Sequence, residues 1–293
     1  MVNLAVARAA EPRARPPSTI AILRLARPQR RALVSYFAAL LVWQLGSTSG
    51  RWLGFELPLL GRVPAPSDVL LAWSHLILDP GYWQSWIASW KRVAVGFSAA
   101  VLTGVPLGLI MALNRPIWDV VFPVFELLRP IPPLAWVPVA IIFWPTQELS
   151  IDAVIFIGAF YTLVLNAVSG ARSVDPRLIE VARSMGASKR NILTRLVLPG
   201  VLPSVLVGME VSIGITWEVV VAAEMISGGG SSRAASSGGG LGFFIWNSYV
   251  GGSYPQIIVG MISIGIAGYL SSAALRAVAA RLSRWNAPHG GRT

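Results

Sequence analysis

Cysteine is absent from this 293-residue chain, which excludes a disulfide framework, a thiolate nucleophile and any cysteine-held metal. Histidine is nearly absent: His75 and His289 are too few to hold a haem or a zinc ion. Lysine occurs only as Lys91 and Lys189, and no G-x-x-x-x-G-K-[ST] stretch occurs, so there is no phosphate-binding loop of a nucleotide hydrolase. Charge is scarce as well, at 13% of residues against about 25% in soluble domains. What fills the chain instead is apolar, 54% by count with a mean hydropathy of +0.62. This is the composition of an integral membrane protein. The net charge of +11 would suit nucleic acid, but its placement along the chain points to the membrane and to no nucleic-acid partner.

Residues 1–31 hold seven arginines and one acid, Glu11, and read as a basic cytoplasmic tail with a surface helix near residues 20–27. The first uncharged run, 32–50, approaches the ~20 residues that span a bilayer. Residues 51–92 mix proline, tryptophan and acids and read as an extracytoplasmic loop with amphipathic helices. A core of apolar spans then occupies 93–282, and 283–293 is a second cytoplasmic tail. Within the span 93–114, Gly96, Ala100, Gly104, Gly108 and Ala112 recur every four residues, a spacing that lets another helix approach closely. Residues 227–240 are glycine and serine with two alanines and one arginine, a flexible spacer by composition. The last span covers about 256–275.

Two spans carry chemistry. Between 118 and 147, Pro123, Pro130, Pro132, Pro133, Pro138 and Pro145 interrupt an apolar stretch and must break the helical hydrogen-bond ladder. Freed backbone survives at membrane depth only where protein or a water-filled cavity covers it, and transporters build substrate sites at such breaks. Glu126 and Arg129 precede the break, three residues apart. They are either a structural pair near the interface or part of a path, since an unpaired charge at mid-bilayer costs roughly 2.5–3.5 kcal/mol. Residues 201–225 hold Glu210, Glu218 and Glu224 within an arc of roughly 120° on a helix, which favours a bundle interior or pore over lipid. Arg129 and Trp136 are candidates to line a path, and Trp217, Glu218 and Glu224 to gate or support it. The intramembrane charges are four acids against one base.

Between these spans lies a polar, arginine-rich island at 175–203. Asp175 can cap a helix whose first turn accepts Pro176, and Gly186 can end it in a left-handed conformation. Ser188 can cap a second helix, and Pro199 forbids its simple continuation. Leu178, Val181, Ala182 and Met185 share one face of the first helix. In a soluble chain this would read as a helical hairpin or a helix-turn-helix; between apolar spans it reads as a docking element.

Here the sequence resembles the permease subunits of ABC importers, whose cytoplasmic signature runs Glu-Ala-Ala, three residues, Gly, then Leu-Pro. Glu180, Ala182, Gly186, Leu198 and Pro199 stand in that pattern, with Val181 replacing the middle alanine. W-E-V-V-V-A-A-E at 217–224 and R-P-I-P-P-L-A-W-V-P at 129–138 resemble the branch that handles nitrate, bicarbonate, taurine and other sulfonates. The resemblance covers roughly residues 90–282. It implies an all-α membrane protein of type I importer architecture, with about six transmembrane helices and no enzymatic activity of its own. It implies coupling through 175–199, carried by Glu180, Val181, Ala182, Gly186, Ala187, Leu198 and Pro199. It further implies a second permease copy, two ABC ATPase subunits that bind the ATP and magnesium, and an extracytoplasmic substrate-binding protein, all at a bacterial inner membrane.

With six spans, 18 of the 24 Lys and Arg fall in residues 1–31, the short loop at 114–117, residues 172–203 around the island, and residues 276–293. The opposite side holds five: Arg51, Arg62, Lys91, Arg92 and Arg233. The positive-inside rule then puts both termini and the island in the cytoplasm. A self-powered secondary transporter would share the broken helix and buried acids but needs no docking hairpin. A membrane enzyme would need a convergent catalytic cluster, and His75 with Asp79 is the nearest approach to one.

Overall fold

A computed structural model describes residues 27–50, 54, 58, 60–228 and 239–283. The tail before residue 27 with its expected surface helix, most of the Gly/Ser stretch at 227–240 and the tail after 283 therefore lie outside the described residues. Every regular element among the described residues is helical. Two compact units arise, Met1–Pro66 and Ser67–Thr293.

In the first unit, α1 (Arg27–Ser47) is followed by a short 3-10 turn, Leu60–Arg62. The Trp43 indole N–H donates to the Pro64 carbonyl at 3.1 Å and ties the returning chain to α1. Arg27, Arg30 and Arg31 open α1, and this helix is not among those apolar enough by length and composition to cross a membrane.

The second unit begins with α2 (Pro66–Leu76) and α3 (Pro80–Leu113). Asp79 caps α3 by accepting from the Gly81 amide at 3.0 Å, with Pro80 in the first turn. The helix thus starts well ahead of the apolar run at 93, and residues 80–92 are its first turns rather than loop. Then come α4 (Arg115–Leu128), a 3-10 turn at Pro133–Trp136, α5 (Val137–Phe143) and α6 (Gln147–Arg172). The polar island folds as α7 (Pro176–Ser184) and α8 (Lys189–Ile192). A π-turn, Leu193–Val197, leads into α9 (Leu198–Gly228), followed by α10 (Gly240–Val250) and α11 (Tyr254–Leu282). Sequence periodicity did not reveal α10.

Four stretches are long and apolar enough to cross a membrane: α3, α6, Lys189–Ser227 and α11. The pair formed by Arg115–Leu128 and Pro133–Phe143, bent by 88° at the break, is a fifth if counted as one span. Of the six prolines around it, Pro123 stays inside α4 and Pro138 sits in the first turn of α5, where its missing N–H costs nothing. The break falls at 129–132, where prolines crowd.

Close helix approach builds the core. A side chain at Gly96 would strike Ile155 Cγ2, and one at Gly108 would meet the Val164 carbonyl at 2.6 Å. Ala100 between them is fully buried. The small-residue stripe of α3 is therefore its seam with α6, along which the two helices run parallel. On its other side α6 meets α9 antiparallel, Gly158 near Val219 and Gly170 against Ser204. Phe97, Ile155, Leu163, Ile213 and Trp217 fill the space between the three helices.

Candidate functional sites at the two ends of the bundle

The island forms a rigid elbow. The Asp175 carboxylate accepts from the Arg177 amide at 2.9 Å and starts α7. At its far end the Gly186 amide donates to the Arg183 carbonyl and the Ala187 amide to the Ala182 carbonyl, at 2.9 and 3.0 Å, with Gly186 at φ +78°. This is a Schellman ending, which needs the left-handed backbone that glycine adopts without strain. Ser188 then caps α8 through the Asn191 amide at 3.3 Å.

Pro199 does not stop the second helix. The chain continues from Lys189 to Ser227 as one 39-residue run. The π-turn at Leu193–Val197 immediately before the proline, with the Leu198 amide bonded to the Leu193 carbonyl, absorbs the ring and the missing donor. The elbow is thereby continuous with the spanning helix α9.

The apolar face of α7 divides. Leu178, Val181 and Met185 are 52%, 55% and 78% exposed. Ala182, expected beside them, instead turns inward with Ile179 and Ala187 against Ala167, Ile192, Val197 and Val201. Glu180, Arg177 and Arg183 surround the outward triad and are exposed, as is Leu198. Gly186 sets the bend, and Pro199 is half-buried behind it.

At the broken span, Glu126 and Arg129 are both exposed and form no ion pair with each other. Arg129 borders a cavity of about 320 Å³ with Pro133, Gly158, Tyr161, Thr162 and Asn166. Trp136 is half-buried, its indole N–H enclosed without a partner. The three acids of α9 separate. Glu210 pairs with Arg276 of α11 at 2.7 Å, while Glu218 lines an apolar groove of about 780 Å³ between α9, α10 and α11.

Trp217 and Glu224, expected to gate or support a path, are both buried, and Trp217 also borders the groove that Glu218 lines. Trp217 is 3% exposed, donates to Ser271 Oγ at 2.9 Å and packs edge-on against Trp90. Glu224 is 1% exposed and accepts from Arg92 Nη1 at 2.7 Å, from Ser89 Oγ at 2.8 Å and from the Gly242 amide at 2.8 Å. Arg92 also reaches both Glu148 oxygens, through Nε at 2.8 Å and Nη2 at 2.6 Å. Ser89 Oγ in turn accepts from the Leu241 amide at 2.8 Å. One guanidinium thus ties α3 to the starts of α6 and α10 and the end of α9, with Glu224 at the positive N-terminus of α10.

Arg92, Glu148 and Ser89 carried no sequence signal as partners. The one trace is Gly240-Leu241-Gly242: Gly240 sits at φ +65°, and a side chain there would strike the Glu224 carboxylate. His75 and Asp79 form no catalytic pair, because the Asp79 carboxylate is occupied with the Gly81 amide. The charge cluster lies at the start of α6 and the elbow at its end, about 39 Å apart for 26 helical residues.

The described residues thus form a bundle of parallel and antiparallel helices with an apolar-faced elbow at one end. Residues 104–287 match the family model described as binding-protein-dependent transport system inner membrane component. The chain belongs to that family. It is 39% identical over 228 residues to a putative ABC transporter permease protein of Methanocaldococcus jannaschii, covering 78% of this chain and 82% of that protein. The bicarbonate transport system permease protein CmpB of Synechococcus elongatus is 34% identical, with 86% and 87% covered. The taurine transport system permease protein TauC of Escherichia coli is 32% identical, with 76% and 80% covered. Permease chains of the inward-facing MetNI methionine ABC transporter share the fold, with TM-scores of 0.57 and 0.52 at 18% and 20% identity. They cover 70% and 68% of this chain and 98% and 93% of their own. This ABC importer permease is a transport subunit and not an enzyme; an ATPase on another subunit supplies the energy, and a binding protein supplies the solute.

Proposed function

We propose that this permease forms, as a pair of identical copies, the path of an importer for a small oxyanion or sulfonate in the inner membrane. Both termini and the elbow face the cytoplasm, where two ATPase subunits dock. The observation that carries this reading is the outward triad of α7, three large apolar side chains on a capped helix with nothing of this chain's described residues covering them. Burying them in a cleft of the ATPase would contribute about 1.5–3 kcal/mol each. The charges around them, Arg177, Glu180 and Arg183, orient the contact.

Because the π-turn keeps the elbow continuous with α9, a displacement at α7–α8 is delivered to the span that carries Glu218. Ala182, Gly186, Ala187 and Pro199 serve the coupling by shaping the elbow, and Val181 and Leu198 by touching the partner. Glu126, Arg129, Trp136 and Glu218 remain candidates for the path; Trp217 and Glu224 hold the bundle around it. The relatives named for bicarbonate and taurine support the anionic substrate class.

The deciding experiment is co-purification of the permease with its ATPase, followed by ATP hydrolysis in proteoliposomes with the cognate binding protein and nitrate, bicarbonate or taurine. Stimulation by one of these anions is expected. A permease that isolates without any ATPase, or moves solute down a proton gradient alone, would overturn the coupling.

A further inference from the structure

The cavity at the α4–α5 break has one charge in its wall, the Arg129 guanidinium. Its α6 wall supplies Gly158, Tyr161, Thr162 and Asn166, from the middle of a helix running Gln147–Arg172, so the cavity lies near half the depth of the span. A guanidinium at that depth is costly unless it is paired or hydrated. Among the described residues it has no paired carboxylate. The ion pairs present join Arg92 to Glu148 and Glu224, Arg115 to Asp119, and Arg276 to Glu210.

The rest of the wall fits the same ligand chemistry. Asn166 gives one amide N–H to the Thr162 carbonyl at 2.8 Å and keeps a second. Thr162 and Tyr161 also line the space, and each carries a hydroxyl able to donate. Ile131, Pro133 and Ile215 close the space with apolar surface. No acid among the described residues lines it: Glu224 is consumed by Arg92, Glu210 by Arg276, Glu218 lines the separate groove against α11, and Glu126, exposed on α4 one turn before Arg129, is not among the lining residues. The excess of intramembrane acids over bases, which argues against an anion path when read along the sequence, therefore does not apply at this point in space.

We propose that this cavity is a mid-depth oxyanion subsite, with Arg129 supplying the charge and Thr162, Asn166 and Tyr161 the neutral donors. The planar, weakly hydrated guanidinium presents paired N–H groups that match the oxygens of a nitrate, bicarbonate or sulfonate group. A single cation among neutral donors binds such an ion without trapping it, as passage requires. This assignment rests on the anionic substrate class proposed above.

The natural absence of cysteine allows a direct test. Thr162→Cys in the full chain, in phospholipid nanodiscs, gives a single thiol that a small neutral reagent can label. Nitrate or taurine at ten times its dissociation constant is expected to slow labelling about tenfold relative to gluconate at equal ionic strength. In Thr162→Cys/Arg129→Gln the protection should vanish, and in Thr162→Cys/Arg129→Lys part of it should return. Equal labelling with and without either anion, or protection that survives Arg129→Gln, overturns the subsite. Uptake by the assembled wild-type importer separates the two readings. An importer that moves an anion while the introduced thiol stays unprotected loses only the subsite; one that moves neutral or cationic solutes and no anion loses the substrate class itself.

Discussion

Arg92 Nη1 lies 2.7 Å from Glu224 Oε1, in a place where both side chains are withdrawn from solvent. The two residues are 132 positions apart. Arg92 also holds Glu148, while Ser89 and the amide of Gly242 donate to Glu224, so four helices meet around this ion pair.

Removing one member leaves the other buried and uncompensated. Arg92→Ala should destabilise the permease by about 3–5 kcal/mol, read as a lower unfolding temperature in detergent. Adding Glu224→Gln should recover part of the loss, because the stranded charge is gone. An unfolding temperature equal to wild type for Arg92→Ala would show that the cluster does not brace the bundle.

Gly240 is the backbone counterpart of that cluster. Its φ of +65° and the closeness of the Glu224 carboxylate leave no room for a methyl group. Gly240→Ala should cost at least about 2 kcal/mol from strain and clash together, and should loosen α10 in hydrogen exchange. Gly252, also at positive φ but with open space around it, should tolerate alanine better.

The α3–α6 seam makes a separate prediction. Gly108→Val places a branched side chain where even a single Cβ would lie within 2.7 Å of both the Val164 carbonyl and the Ala167 methyl. Overpacking of this kind typically costs about 1–3 kcal/mol, and denaturation of the purified protein measures it.

At the elbow, stability and coupling should come apart. Val181→Arg changes an exposed residue, so unfolding should shift by no more than about 0.5 kcal/mol. ATPase co-purification and solute uptake should nonetheless fall sharply. Ala182→Asp, one position on, faces inward and should instead destabilise the elbow. Normal uptake by Val181→Arg would remove the outward triad from the coupling surface.

Much of this molecule is legible in order along the chain because the deciding interactions are local. The caps at Asp175 and Ser188, the left-handed Gly186 and the four-residue stripe from Gly96 are short-range patterns with short-range consequences, and each appears in the structure where its residues stand. The break in the 118–147 span was readable because prolines remove donors wherever they stand, although which of six prolines makes it was not. Pro199 misled for a related reason. A proline rule for α-helices assumes α-geometry, and the π-turn before it removes that assumption.

The sequence by itself determined that this chain lives in lipid, that one span is broken, and that a basic, capped elbow separates two spans. Those properties follow from composition and from contacts within a few residues. Only the tertiary structure decided what each charge meets: that Glu224 is buried on Arg92, that Glu210 pairs with Arg276, and that Arg129 makes no ion pair among the described residues. A helical wheel places a charge on a face, but its partner comes from another helix more than a hundred residues away, and packing alone chooses which one.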